Sequence, residues 1–256
     1  MRQNIIDLKE KQIDDVQLIF HQAAQAGVRA SWGKEFAQYT NNNVLATQML
    51  LELARGVKLE RFIYASSSSV YGASGKLPMS ESDRPQPVSP YGVTKLAAEH
   101  LCQLYQLNFG VPTVSLRYFT VYGPCQRPDM AFNRFIKAAL KDEEVVIYGT
   151  GEQTRDFTYI EDIITANLLA ATVDQTEGNV YNIGGGSQIS ILTVLKILEW
   201  LMEREIRIHH EPVQAGDPAH TYADTRKARD DLGFKPQYSI EEGLDTMVEW
   251  FYKLLI

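Results

Sequence analysis

Apolar and polar positions change their period along the chain, and the changes mark its elements. Val16-Gln-Leu-Ile-Phe20 is a short apolar run of buried-strand type, and it enters a small-residue turn over 21–27. Over 43–55 apolar residues recur at helical spacing (Val44, Leu45, Met49, Leu50, Leu53), and Gly56 supplies a C-terminal cap. Residues 61–65 predict a second strand, followed at once by Ser66-Ser-Ser-Ser69. A loop holding Pro78, Pro85, Pro87 and Pro90 precedes a helix over about 91–108, and 113–118 reads as a third strand. Strands alternating with helices of this length predict βαβ units. The fold class is therefore α/β: a mainly parallel sheet flanked by helices, with ligands bound at the carboxyl ends of its strands.

Beyond about residue 125 the pattern loosens. Residues 131–141 predict a helix, 145–147 and 180–183 short strands, and 159–172, 189–203 and 240–255 three more helices. This describes a smaller, mixed α/β lobe. The expected division is 1–123 for the main unit and 124–256 mostly for the second lobe, with some segments returning to the first.

Composition narrows the function. A chain of 256 residues, 45% hydrophobic, buries a sizeable core. Its net charge of −7, with both signs interspersed, argues against nucleic acid and against an anionic membrane surface. The two cysteines, Cys102 and Cys125, point to a reducing cytoplasm rather than a disulfide framework. The five histidines show no metal-ligand spacing with cysteine, so no metal site is expected.

Candidate chemistry gathers around "SPYGVTKLAAEH" (89–100). Tyr91 and Lys95 stand four residues apart where a helix begins, and share one helical face. That spacing fits a surface neighbour pair or an acid/base couple. A free phenol titrates near 10 and is a poor base at neutral pH. An ammonium about 5 Å away would favour the phenolate by about 3 kcal/mol at an effective dielectric near 20. The serines after the second strand lie at the edge where such a couple would work. Gly184-Gly-Gly186 imitates a phosphate loop but lacks G-x-G-x-x-G spacing, and reads as a turn of the second lobe.

Five stretches occur in order: "YASSSSVYG" (64–72), "SPYGVTKLAAE" (89–99), "LRYFTVYGP" (116–124), "RDFTYIEDI" (155–163) and "YNIGGG" (181–186). Together they resemble the extended short-chain dehydrogenase/reductases, in the nucleotide-sugar epimerase/dehydratase branch. The resemblance implies a Rossmann-like sheet, NAD as cofactor, and a Ser67/Tyr91/Lys95 set. Tyrosine takes the proton of the sugar 4-OH while NAD accepts the C4 hydride, lysine lowers the tyrosine pKa and holds the ribose, and serine shares the proton. It also places Ala23, Asn43, Ser66 and Tyr118 beside the cofactor, and Ser68, Ser69, Thr120, Arg127, Arg155 and Asp217 beside the substrate. The similar 4,6-dehydratases carry an Asp-Glu pair where this chain has Ser68 and Ser69, which cannot ionise near pH 7. That favours 4-epimerisation. "FTVYGPCQRPDMAF" (119–132) is similar to the hexuronate 4-epimerases, in which the equivalents of Thr120 and Arg127 meet the sugar carboxylate. UDP-glucuronate is thus the best substrate expectation, with UDP-glucose or UDP-N-acetylglucosamine next. Arg155 resembles the arginine that grips the nucleotide diphosphate, but an arginine common three places before Asp217 is Gln214 here. The family pairs as homodimers through two helices, here about 36–55 and 91–108.

The family's opening strand and G-x-x-G-x-x-G turn have no counterpart in these residues, and the first forty hold only Gly27 and Gly33. The expectation is that about a third of the dinucleotide-binding half is absent, leaving a bare sheet edge and weakened NAD binding. Two further readings stay open: a non-catalytic relative that binds nucleotide sugar or serves as an assembly partner, and a 4,6-dehydratase.

Overall fold

The computed structural model describes residues 4–9 and 12–255. Strand β1 (Leu18–His21) leads through a loop into one long helical stretch. This consists of α1 (Phe36–Tyr39), a π-helical turn (Thr40–Leu45) and α2 (Ala46–Ala54). It starts earlier than the apolar periodicity predicts, because its first turns carry few buried side chains. Strand β2 (Arg61–Ser67) follows.

Helix α3 (Pro90–Phe109) has every signal of a well-set start: the Ser89 hydroxyl accepts the Gly92 N–H at 3.1 Å, and Pro90 fills the first position. Gly110, in the left-handed region at φ 70°, ends it. Strand β3 (Thr113–Tyr118) completes the first half.

The second half runs β4 (Val121–Tyr122), α4 (Ala131–Leu140), β5 (Val145–Tyr148), β6 (Thr154–Asp156), β7 (Thr158–Tyr159), α5 (Ile160–Thr172) and β8 (Val180–Ile183). It continues with β9 (Gln188–Ser190), α6 (Ile191–Met202), β10 (Ile208–Glu211), α7 (Arg226–Leu232) and α8 (Ile240–Leu255).

The central sheet has the order β1-β2-β3-β8, and all its pairings are parallel. Strand β2 is buried at every residue, which explains its unbroken apolar run: both faces are covered. On one face Phe62 and Tyr64 pack with Leu50, Leu51, Ala98 and Cys102 from α2 and α3. On the other, Ile63, Val114 and Leu116 meet Ile163, Ala166 and Ala228 from α5 and α7. A separate cluster joins α4, α6 and α8 around Phe132, Ile136, Leu198 and Leu244.

Two expectations shift. The strand at 180–183, grouped by sequence with the second lobe, is the fourth strand of the central sheet. Gly184–Gly186 therefore lead out of that sheet towards β9, and are not a turn internal to the second lobe. Among the described residues β1 pairs only with β2, and Leu18 and Phe20 beside that open edge are exposed.

Candidate active site

The site forms where the end of β2 meets the start of α3. Ser67 leaves β2 in extended conformation and caps a short 3-10 turn (Ser68–Val70), its hydroxyl accepting the Ser69 N–H at 3.1 Å. Helix α3 approaches this turn closely because residue 92 is glycine. A Cβ there would lie 2.5 Å from the Ser69 carbonyl oxygen and 2.9 Å from Pro87 Cβ. The approach sets the half-buried Tyr91 against Ser67, whose hydroxyl favours the ionised phenol. Tyr39 meets the Tyr91 ring edge-on, with centroids 6.3 Å apart, and its own hydroxyl donates to Gly27 O at 2.8 Å.

Neighbouring serines part company here, as alternation in a strand requires. The Ser66 hydroxyl donates to Glu99 Oε2 at 2.6 Å. Glu99 is in turn paired with Arg117 at 2.6 Å in a fully buried bridge, and Arg117 donates to the Tyr71 hydroxyl at 2.7 Å. This network clamps α3 onto β2 and β3. Ser66 thus holds the frame, its hydroxyl already committed, while Ser67 faces the phenol.

Lys95, one turn along α3 from Tyr91, is only 3% exposed, and its ammonium lies 4.7 Å over the ring of Tyr64. Burial lowers its pKa to about 8. His21 at the end of β1, hydrogen-bonded to the Thr47 hydroxyl at 2.8 Å, is lowered to about 4 by burial and then by Lys95, so it is neutral. The expected depression of the Tyr91 phenol by Lys95 is not what this geometry gives. Burial holds the phenol above its ordinary value, and the Ser67 hydroxyl and the Arg127 charge pull it partly back.

Around this centre the loop after β1 is fixed by Asn43 from the π-helical turn. Its side chain accepts the Gln25 N–H at 2.7 Å and donates to Gln25 O at 2.9 Å and the Thr94 hydroxyl at 3.0 Å. Asn43 is therefore a cross-brace within a continuous helix, and not a cap. A π-helical turn is a frequent companion of functional sites. Ala23 is exposed on the braced loop. Tyr118 ends β3 in a triangle with Gln22 and Asn167, donating to the Asn167 oxygen at 2.9 Å, and burial pushes its phenol up to about 12.

The substrate-side residues are more dispersed. Ser68, Ser69 and Thr120 are half-buried at the strand ends. Arg127 pairs with Asp129 at 2.8 and 3.0 Å on the surface, yet its charge reaches the phenols of both Tyr91 and Tyr39. Arg155 forms no ion pair with Asp156 and donates to the carbonyls of Thr154 and Ala219. Asp217 is engaged by Arg29, a residue the sequence motifs do not single out.

The Gly184–Gly186 turn binds a carboxylate of its own chain. Asp156, fully buried, accepts N–H groups from Gly185 at 2.7 Å and Ala223 at 3.0 Å, and burial raises it to about 7. Those amides are not free for phosphate. The residues that would face a nicotinamide and its ribose are nonetheless assembled: a buried ammonium, a phenol paired with a hydroxyl, and an exposed loop braced at Gln25. This donor set fits that end of NAD. Among the described residues no helix is long and apolar enough to span a membrane, and no group of three or more His, Cys, Asp or Glu could hold a metal ion.

Known proteins resemble this chain over nearly all its length. The family model described as GDP-mannose 4,6 dehydratase matches residues 4–247. An uncharacterized UDP-glucose epimerase of Bacillus subtilis is 43% identical over 243 residues, covering 94% of this chain and 76% of that protein. The UDP-glucuronate 4-epimerase of Thermodesulfobacterium geofontis is 38% identical, with 92% and 72% covered. Among solved structures, the Bacillus cereus UDP-glucuronic acid 4-epimerase in complex with UDP-glucuronic acid and NAD superposes with a TM-score of 0.96 at 44% identity, covering 99% of this chain and 81% of that one. A UDP-N-acetylglucosamine 4-epimerase from Methanobrevibacter ruminantium gives 0.94 at 33% identity, with 99% and 83% covered. With the sheet order, the Tyr91 phenol set against Ser67 and the buried Lys95 already in place, these matches show that the chain belongs to the GDP-mannose 4,6 dehydratase family of extended short-chain dehydrogenase/reductases, among relatives that are UDP-sugar 4-epimerases.

Proposed function

We propose that the chain is an NAD-dependent nucleotide-sugar 4-epimerase and that its substrate is UDP-glucuronate. The observation that carries this is the Tyr91 phenol set against the Ser67 hydroxyl, with a buried ammonium one turn behind it and no carboxyl group at positions 68 and 69. Bound NAD supplies the site that accepts the C4 hydride and later returns it. Tyr91 would take the proton of the sugar 4-OH once the positive charge of a bound nicotinamide offsets the burial that holds its phenol up, so that the C4 alcohol becomes a ketone. Ser67, already accepting the Ser69 N–H, relays that proton between phenol and sugar oxygen. For reduction on its opposite face the ketone would turn within the site, and Tyr91 would return the proton to the C4 oxygen. Lys95 and Tyr118, with the loop at Ala23 and Asn43, would hold the cofactor. Elimination at C5 and C6 needs a second acid/base, and Ser68 and Ser69 do not supply one.

Arg127 and Thr120 carry the uronate reading. Arg127 reaches the Tyr91 phenol with its charge while its present partner, Asp129, is exposed and replaceable. A sugar carboxylate in place of Asp129 contributes about 1.5–3 kcal/mol. Incubation with NAD and UDP-glucuronate is expected to yield UDP-galacturonate by chromatography. Arg127→Ala is expected to cut kcat/KM for UDP-glucuronate by about 10- to 100-fold and that for UDP-glucose by about twofold at most. Equal losses on both sugars would remove the arginine from carboxylate recognition.

The assembly we propose is a homodimer in the cytoplasm, where Cys102 and Cys125 stay reduced. On α3 the outward positions Val93, Ala97, His100, Leu104 and Leu107 follow alternating steps of four and three, the spacing of a helix-packing seam. Leu104 is 52% and Leu107 78% exposed, and Leu45 on the helical stretch packed against α3 is exposed as well. A second copy of the same face would cover this stripe, each leucine contributing roughly 2 kcal/mol. Leu104→Glu should therefore shift the sedimentation mass from two chains to one. A wild-type chain that sediments as a monomer at micromolar concentration would refute the dimer.

A further inference from the structure

Helix α3 carries a third ionisable group in line with the two already described. Tyr91, Lys95 and Glu99 follow at steps of four, so phenol, ammonium and carboxylate stand in a row along one side of the helix. Glu99 is 1% exposed. A carboxylate at that depth persists only with its oxygens filled, and here both are. Its Oε1 accepts Arg117 Nη2 at 2.6 Å, and its Oε2 accepts Arg117 Nε at 3.0 Å and the Ser66 hydroxyl at 2.6 Å. This two-pronged contact fixes the carboxylate in one position. Arg117 is anchored in turn: its Nη1 donates to the Tyr71 hydroxyl, and that hydroxyl donates to Asn182 Oδ1, both at 2.7 Å.

The ionisable groups around Lys95 come from several elements. His21 stands at the end of β1, Tyr64 on β2, and Tyr91, Glu99 and Cys102 on α3, with Arg117 of β3 bound to Glu99. Helices α1 and α2 bring Tyr39 to Tyr91 and Glu52 to Tyr105, while the turns at 40–45 and 68–70 bring none. His21 is neutral, and burial holds Tyr64, Tyr91 and Cys102 on their protonated side. Burial lowers the Lys95 pKa most, and Cys102 and Glu99 oppose it. With the thiol uncharged, the opposing charge is that of Glu99. We propose that Glu99 is a positioning residue for Lys95: held by Arg117 and Ser66, its carboxylate is the counter-charge that keeps the lysine an ammonium one turn behind the phenol. The role rests on the epimerase reading above. Adjacent serines on β2 then serve two ends of one device, Ser66 steadying the counter-charge and Ser67 facing the phenol.

The test reads Lys95 by denaturant titration of the full chain from about pH 6 to 10.5, without substrate. In the wild type the stability gained with rising pH should begin at about pH 8, and Lys95→Met, which lacks that gain, assigns it to the lysine. Glu99→Gln/Arg117→Gln drops both charges and keeps the shape, so it remains foldable. There the gain should begin at least about one pH unit lower. Glu99→Gln alone should move it further, because an unpaired guanidinium stays behind. Glu99→Asp keeps the charge and should leave the onset near that of the wild type. Ser66→Ala removes a hydrogen bond but no charge, and should leave it there too. With NAD and UDP-glucuronate, the alkaline limb of kcat/KM should move with the onset. If Glu99 is only a brace, the double variant will lose stability and turnover alike at every pH with the onset in place, and the proposal fails. It fails equally if neither glutamine variant folds. Failure of the epimerase reading looks different: the onset moves as expected, yet no UDP-galacturonate forms at any pH.

Discussion

Replacing Tyr91 by phenylalanine is expected to lower kcat with UDP-glucuronate about a thousandfold and to leave UDP affinity nearly unchanged. Phenylalanine keeps the edge-on contact with Tyr39 and the packing at the start of α3, so the fold and the crevice persist. What disappears is the hydroxyl that stands against Ser67 and that the proposed reaction uses to move the sugar proton. A positioned acid/base contributes on the order of a hundredfold to ten-thousandfold, and no neighbour replaces it. Ser67 is no base at neutral pH, and Lys95 rests over Tyr64. The checks are rapid-quench turnover and UDP titration on the same preparation. A variant that turns over at a comparable rate would disprove the phenol mechanism. A parallel loss of UDP binding would show that Tyr91 shapes the crevice instead.

Lys95→Met is expected to abolish activity and to stabilise the protein. The ammonium is 3% exposed and its pKa falls from 10.5 to about 8, so keeping it charged at neutral pH costs about 3 kcal/mol. Methionine fills a similar volume and carries no such penalty, which should raise Tm by roughly 6–10 °C. The sign follows from proton binding. Between about pH 8 and 10.5 the unfolded chain holds a proton on Lys95 that the folded chain has released, so wild-type stability rises with pH across that window. The rise is full above 10.5 and lost as pH falls to about 8. The variant should lack it. Denaturant titrations of both proteins at pH 7 and pH 9.5 make the comparison. Equal stability at pH 7 would mean that the buried charge is compensated.

The sequence carries much of this arrangement. Strand–helix alternation predicts the parallel sheet because β2 and β3 are covered on both faces, so their centres carry buried apolar side chains such as Phe62, Ile63, Val114 and Leu116. The pairing of Tyr91 with Ser67 is foreshadowed by Ser89, Pro90 and Gly92, which set a helix start against a strand end. Other parts are hidden for physical reasons. Helix 36–54 begins with residues whose burial comes from the loop they brace, so Tyr39 and Asn43 leave no apolar period. The strand at 180–183 has the same pattern whether it joins the large sheet or a small one, since both bury it. Ser66 and Ser67 are indistinguishable in a run of four serines, and only the partners on each face separate a frame hydroxyl from a reactive one. Arg29 gives no motif, because its partner Asp217 lies far along the chain and the two meet only once the halves have packed.

Gly92 has a consequence beyond this molecule. The contact that brings phenol and hydroxyl together tolerates no methyl group at that position, since the nearest obstacle is backbone. A homologue could keep serine, tyrosine and lysine intact and still be silent after drift at this one neighbour. Surveys that score such proteins by their reactive triplet alone would count it as active, so the residue following the tyrosine belongs in the signature.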